Sequence, residues 1–588
     1  SGKVVDVNGE PVIGASIVEK GTTNGTVTNL QGDFSLSVSS DKAVIEISYI
    51  GYQPQELKVI AGKPLNVTMK EDAQALEEVV VVGYGSQKKV NVIGSIAAVD
   101  SKKLESRTAP SVSNMLTGQL SGVTITQSSG NPGQDQGTIR VRGVGSFGAT
   151  PDPLVLVDGL PGSLNDLNPA DIESISILKD ASSAAIYGSR AANGVVLVKT
   201  KGGQKGKVTV SYNGYVGFNQ ATELPEMCDS WEYAELYNKA MGKEVYSAEE
   251  IQKYKDGSDP YNYPNEHYLD KLLGNKGLQT GHELTVNGGN DKTQYMVSFG
   301  YVKQNGLMEH NHYDRYNGRV NLTTELAKNL TTRLGGVVSK RSEPSTPGGM
   351  DSAGFKAFSS NALRFPGLWA TKLEDGSYGL GPKVLGTPLA WLDSGSFYDE
   401  NFDKFRSNVE LAFTPVKGLT LKAIGGYNYT GQQIRHYRSA MEITGGKKLG
   451  PSSLSDTMYK TVYKTFQALA DYNVKFSKND LSVLVGYTWE DESQRTVGGS
   501  RLNFPSDEVP YLNAGGADGQ TNSGGGYDWA IMSVFGRLTY NYDQRYLFET
   551  TMRYDGSSRF PTDNKFGFFP SVAVGWRLSE EQFFKEAE

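Results

Sequence analysis

From Lys207 onward the chain is written in long alternating strands, and their connections switch between short and long. In VTVSYNGYVGF, Val208, Val210, Tyr212, Val216 and Phe218 share one side, opposite Thr209, Ser211, Asn213 and Tyr215. YMVSFGY aligns Tyr295, Val297, Phe299 and Tyr301, and LSVLVGYTW aligns Leu481, Val483, Val485, Tyr487 and Trp489. A period of two is the period of a strand with one apolar face. A half-buried soluble sheet has the same pattern, so the connections must separate the cases. Short turns fall at 288–291, 327–329, 415–418, 477–480 and 542–545, and long connections at 220–280, 305–312, 343–403, 436–457 and 498–526. That alternation is the wiring of an outer-membrane β-barrel, with about twelve strands countable. Tyr540, Tyr542, Tyr546, Phe566 and Phe568 near strand ends suit the aromatic girdles of such a wall.

Composition narrows the remaining choices. No run of 18 apolar residues occurs, which excludes a membrane-spanning helix and leaves a barrel open. A net charge of -7 argues against a nucleic-acid surface, which needs clustered Lys and Arg. The single cysteine, Cys228, forbids an internal disulfide. At 588 residues the chain is too long for one ordinary core.

Residues 1–72 have a different texture. Short β-branched runs alternate with the turn signals NGEP, GTTNG and LQGD, the pattern of a small sandwich. Phe34, Ile45, Ile47 and Tyr49 are its candidate core, and Gly9, Gly25 and Gly32 its candidate positive-φ turns. Through GKVVDVNGEPVIGASI and GTVTNLQGDFSL the segment resembles the carboxypeptidase regulatory-like, or transthyretin-like, domain. A spacer or docking role is expected of it.

Residues 90–206 mix strands with short amphipathic segments. Three stretches stand out: GTIRVRGVGSF (137–147), PLVLVDGLPG (153–162) and IESISILKDASSAAIYGSRAANGVVLVKTKGG (172–203). The first is an alternating strand ending in glycines, the second a buried strand ending in a turn, and the third a strand leading to a helix near Ala181. GVGSFG opens no helix and so is not a dinucleotide fingerprint. In order, these stretches resemble the plug signature of TonB-dependent outer-membrane transporters, specifically the SusC-like branch (SusC/RagA family).

The resemblance implies a mainly β architecture: a transthyretin-like β-sandwich (1–72), a linker (73–89), an α/β plug (90–206) and an antiparallel transmembrane β-barrel (207–588). It implies 22 barrel strands in the whole protein, so some ten are expected outside this chain. Arg140, Arg142, Gly143, Asp158, Gly159 and Arg190 match the plug signature. The charged members are expected to pair with the polar barrel wall. In the linker, ALEEVVVVGYGSQKK sets four valines between two acids and a Gly-Tyr-Gly turn, an exposed strand of the kind soluble proteins suppress. Val79, Val80, Val81, Val82, Gly83 and Tyr84 match the family's TonB box, a strand that adds to the sheet of TonB.

What the resemblance implies functionally is active import through the outer membrane of a Gram-negative bacterium, with the N-terminal domain and box in the periplasm. Oligosaccharides are the expected cargo and peptides the alternative; a TonB-dependent signalling receptor is a further reading. The implied partners are a SusD-like surface lipoprotein, TonB with its inner-membrane motor proteins, outer-membrane lipid, and a second transporter–lipoprotein pair. Trp369, Trp391, Phe397 and Tyr398 are candidate sugar-stacking rings. His310 and His312 form a HNH pair with no third neutral ligand nearby, which reads as a solvated loop. The segments SWEYAELYNKAM and SAEEIQKYKDG read as helices capped at Ser230 and Ser247. No catalytic constellation, cofactor or metal site is expected.

Overall fold

A computed structural model describes the chain except at residues 8, 21, 23, 41–42, 50–51, 53–54, 60–62, 70–78, 106, 108, 110, 147–149, 346–354, 382–384 and 586–588. Contacts divide it into two units, Ser1–Val80 with Ser86–Val92, and Val81–Gly85 with Ile93–Glu588.

The first unit contains two small sheets. One orders Asp33–Phe34, Gly2–Val5 and Leu65–Thr68; the other orders Gly25–Val27, Ser16–Glu19, Val44–Ser48 and Gln55–Lys58. Val4, Ile17, Phe34, Ile45, Ile47, Val67 and Met69 fill the space between them. Two expectations need correction. Tyr49 is exposed, its ring tilted against that of Tyr52 rather than joining the core. Gly25 starts a strand and has no positive φ, unlike Gly9 and Gly32.

In the second unit, residues 93–200 form a mixed five-stranded sheet ordered Ile96–Asp100, Ile172–Leu178, Val195–Thr200, Leu154–Val157, Leu160–Pro161. A hairpin of Val123–Gln127 and Gly137–Val141 lies beside it. Both faces of the buried strands are apolar, as a covered sheet requires: Ile175, Ile177, Val196 and Val198 pack with Leu104, Val112, Leu116 and Leu164. Between Val157 and Leu160 the chain reverses in two residues, Asp158 (φ 51°) and Gly159 (φ 83°), a turn that needs left-handed backbone at both positions.

The remainder is one open twelve-stranded antiparallel sheet in which each strand pairs the next in sequence. Its strands are Gly206–Asn219, Gly277–Gly289, Thr293–Asn305, His312–Ala327, Leu330–Ser345, Phe397–Val416, Leu419–Arg438, Ser453–Phe476, Asn479–Leu502, Thr521–Tyr542, Tyr546–Ser557 and Phe566–Trp576. Connections of two or three residues alternate with longer ones, as the sequence predicts. The strands run further into the long connections than expected; Phe397–Val416 begins well inside 343–403.

The alternation has a physical consequence at each face. Along Asn479–Leu502, Val485 and Trp489 are exposed, whereas Leu484, Thr488 and Glu490 are buried toward the enclosed side. Beyond Trp489 the exposed face turns polar, with Asp491 facing Lys464 at 3.7 Å. Tyr542 and Tyr546 flank the 543–545 turn, stacked at 6.4 Å, with Trp576 next in line at 6.5 Å. Among the described residues no helix is long and apolar enough to cross a membrane, which bears only on helices.

The first long connection folds into helices Ser230–Met241, Ala248–Asp256 and Tyr268–Leu273. Ser247 caps the second as predicted, but Asp229, not Ser230, caps the first. A capping box needs its acid three residues on, and Glu232 selects Asp229; Ser230 is instead buried inside the first turn.

Candidate functional site

The site is the seam where residues 81–85 and the five-stranded domain meet the enclosed face of the wall. Charged and polar groups dominate it. Arg190, in the turn after helix Ala181–Ala184, forms a two-pronged pair with Glu490 of the wall at 2.6 and 2.7 Å. Glu490, only 6% exposed, also accepts from the Tyr463 hydroxyl at 2.6 Å. Asp180 caps that helix by accepting from the Ser183 N–H, so the sequence DASS fixes where Arg190 emerges.

Asp158 accepts from the Thr200 N–H and hydroxyl at 2.9 and 2.8 Å, and Arg319 of the wall lies 3.5 Å from it. Arg319, 4% exposed, is also 3.5 Å from Asp171. Asp166 receives Lys404 on both oxygens at 2.9 and 2.7 Å. Arg315 and Asn317 donate to the carbonyls of Asn165 and Asp166, and Arg553 to that of Ile186. The two aspartates differ in consequence. Burial pushes Asp166 up, but Lys404, Arg341 and Arg406 outweigh it and hold the carboxyl below its ordinary value. Burial pushes Asp171 up as well, and there Arg319 does not compensate.

Of the four signature charges expected at the wall, Asp158 and Arg190 reach it. Arg140 instead pairs with Asp152 of its own domain at 2.5 Å. Arg142 (φ 56°) and Gly143 (φ 91°) turn the chain at the end of their strand, leaving the Arg142 side chain exposed. Sequence reasoning missed Asp166, Asp171, Arg319 and Arg553. For the two aspartates, acids set beside leucines and an isoleucine in SLNDLNPADIES were the available signal.

The valine segment is a strand, Val79–Val82, but not an exposed one: Val80 and Val82 are buried. Val79 is outside the residues whose side chains are described. Past Val82 the backbone runs so close to Ile186 that a Cβ at Gly83 would collide with it. Tyr84 (φ 59°) then inserts its ring between Tyr187 at 5.4 Å and Phe535 of the wall at 4.7 Å, both stacked. Burial raises the Tyr84 hydroxyl pKa, so the group is neutral at physiological pH. Tyr187 neighbours Ile186, whose carbonyl holds Arg553.

The four candidate stacking rings do not converge. Trp391 is 1% exposed, donates to the Leu385 carbonyl at 2.7 Å and packs with Leu272, Phe358 and Met441, so it is core of the folded connections. Trp369 is half-buried, its carbonyl accepting from the Tyr268 hydroxyl. Phe397 and Tyr398 are consecutive in a strand and so face opposite sides, on Tyr437 and His436 respectively. His312 begins a strand and lies 3.5 Å from Asp314. Among the described residues no three His, Cys, Asp or Glu gather at metal-binding distance.

A β-barrel wall whose enclosed face grips an α/β domain through charge pairs defines a plugged receptor of the TonB-dependent class. Family models agree along the chain: CarboxypepD_reg-like domain at residues 1–81, TonB-dependent Receptor Plug Domain at 88–195, and TonB dependent receptor-like, beta-barrel at 344–584. The TonB-dependent receptor SusC of Bacteroides thetaiotaomicron is 32% identical over 630 aligned positions, covering all of this chain and 59% of that protein. TonB-dependent receptor P3 of Formosa agariphila is 31% identical, covering 98% of this chain and 56% of the relative. The structure of the RagAB peptide importer in its open-open state superposes with a TM-score of 0.75 at 26% identity, covering 86% of this chain and 59% of that one. The chain therefore belongs to the TonB-dependent outer-membrane receptors of the SusC/RagA family, and it spans somewhat over half the length of these relatives.

Proposed function

We propose that the protein takes up a bulky polar ligand, an oligosaccharide, across the outer membrane by TonB-driven displacement of the plug. The single observation that carries this reading is the seating of Tyr84 between Tyr187 of the plug and Phe535 of the wall. In this reading Val79–Tyr84 is the TonB box, and a pull on it bears on the turn that carries Arg190. The short-turn end then faces the periplasm with the N-terminal domain, and the long connections face outward, beneath a SusD-like lipoprotein. Two such pairs associate. The relatives are named as receptors and an importer, none as an enzyme, and no catalytic step is assigned.

Deletion of Val79–Tyr84 tests the reading. Uptake of labelled oligosaccharide by whole cells is expected to stop while surface binding persists. Uptake that survives the deletion would falsify the coupling role, and binding without uptake in the wild type would favour a signalling receptor. Peptide cargo is a second reading, favoured by the likeness to a peptide importer. Mass spectrometry of ligand retained on the gently purified complex separates the two.

A further inference from the structure

A cavity of about 310 Å³ lies between the plug loop at Pro161–Asp166 and the middle of the wall, and three cations line it: Arg190, Lys404 and Arg406. Two are committed. Arg190 holds both oxygens of Glu490, and Lys404 both of Asp166. Arg406 is different. The negative charges that act on it are Asp166 and Asp158, and those are engaged by Lys404 and by Thr200 with Arg319. Among the described residues no carboxylate forms an ion pair with it.

The guanidinium lies close against the plug loop at Gly162, where a Cβ would collide with it. A half-buried cation that only shares its neighbouring carboxylates with other cations, and forms no ion pair of its own, is under-compensated, and a guanidinium fork is shaped to take a carboxylate on two parallel bonds. Beside it, Asn428 donates its Nδ2 to the Pro161 carbonyl at 3.0 Å, which leaves its buried Oδ1 without a donor. The hydroxyls of Thr430 and Thr461 and the ring of Trp529 complete the lining, whereas Tyr429, between Asn428 and Thr430 in the strand, turns its ring to the opposite face. The Trp529 ring is fixed by donation to Glu492 at 3.0 Å.

From this arrangement we infer that the cavity is a subsite for one carboxylate-bearing sugar unit of an acidic oligosaccharide, with Arg406 as its principal contact. The carboxylate takes the guanidinium, ring hydroxyls meet Asn428 Oδ1 and the threonines, and a pyranose face lies on an aromatic ring. A peptide carboxylate would satisfy Arg406 but brings no flat polyol to the hydroxyls and the Trp529 ring. Because Arg406 rests on Gly162, the acid is read where the plug meets the wall. The inference rests on the import reading and names its cargo class.

Calorimetry on the full-length transporter complex in detergent tests it, with tetragalacturonate, its methyl ester, a tetrapeptide acid and the same tetrapeptide amide as probes. The wild type is expected to bind tetragalacturonate at least tenfold more tightly than the ester. Arg406→Gln should erase that preference, and Arg406→Lys should restore part of it. Asn428→Asp, which sets a fixed negative charge beside an intact Arg406, should also lower the preference, and serves if Arg406→Gln fails to insert. Equal binding of acid and ester, or a preference that survives Arg406→Gln, overturns the subsite. A preference confined to the tetrapeptide acid overturns the sugar assignment. Box-dependent uptake of a neutral ligand would leave the import reading standing while this one fell, so the two fail separately.

Discussion

The plug is held together by one kind of chemistry and held in place by another. Inside it, Ile175, Ile177, Val196 and Val198 pack dry against helices and loops. Outside it, Arg190–Glu490, Asp158–Arg319 and Asp166–Lys404 reach the wall as charge pairs, Arg315, Asn317 and Arg553 reach back to plug carbonyls, and an apolar cluster of Leu156, Ile186, Tyr187, Val195 and Leu197 with Leu469, Leu484 and Phe535 lies among them. An apolar core has no substitute for its lost contacts when opened to water. Charged groups do, because water and salt solvate the separated partners. A domain built this way can leave its seat while remaining folded.

Four substitutions bear on that contrast. The largest effect is expected from Arg190→Leu, which strands Glu490 as an uncompensated buried charge at a cost of about 3–5 kcal/mol. It should raise ion leak through the reconstituted barrel while leaving the plug folded. The double variant Arg190→Leu/Glu490→Leu should recover much of the loss, and a double variant that leaks as badly as the single would break the comparison. Next, Ile177→Ala opens a cavity and should cost about 3 kcal/mol. Here urea should unfold the plug earlier, with ambient leak unchanged.

Asp166→Asn should cost about 1.5–3 kcal/mol, the range for hydrogen bonds to a charged group. Its pH dependence fixes the sign. The folded Asp166 pKa lies below its ordinary value, so the pair's contribution is present above about pH 4 and is lost as pH falls through the folded value. The gap between wild type and variant in urea titrations should therefore hold from pH 7 to 5 and close only at lower pH. Asp171 has the opposite shift and should not reproduce that profile. The smallest effect belongs to Tyr84→Leu, which keeps an apolar side chain but loses two stacked contacts at about 0.5 kcal/mol each, about 1 kcal/mol together. Limited proteolysis should cut the 79–85 segment several-fold faster; unchanged cutting would mean the ring does not hold it.

Much of the wall was legible in the sequence because strand period and turn chemistry are local. SKND and YDQR mark reversals whatever surrounds them. The seam was legible only in part. Arg140, Arg142 and Arg190 all sit in matching motifs, but which one faces the wall depends on how the domain is seated, and no short window encodes that. Trp391 failed as a ligand ring for a related reason: a large flat side chain suits a core as well as a sugar, and helix Pro388–Asp393 turns it inward. The valine segment reads as exposed because burial by distant partners such as Phe535, some 450 residues away in sequence, leaves no local trace.

The length of the wall strands reaches beyond transport. Ser453–Phe476 and Asn479–Leu502 each have 24 residues, about 80 Å at ~3.3 Å per residue. Tilted at about 40°, they stand about 60 Å tall against an apolar band of about 25 Å. The stretch ending at Trp489 is enough to cross that band, so more than half of each strand rises clear of it as a wet palisade. There Arg495–Asp528 and Lys464–Asp491 are ordinary surface ion pairs. Ionic strength, not lipid thickness, should govern how stiffly the upper storey of the molecule stands.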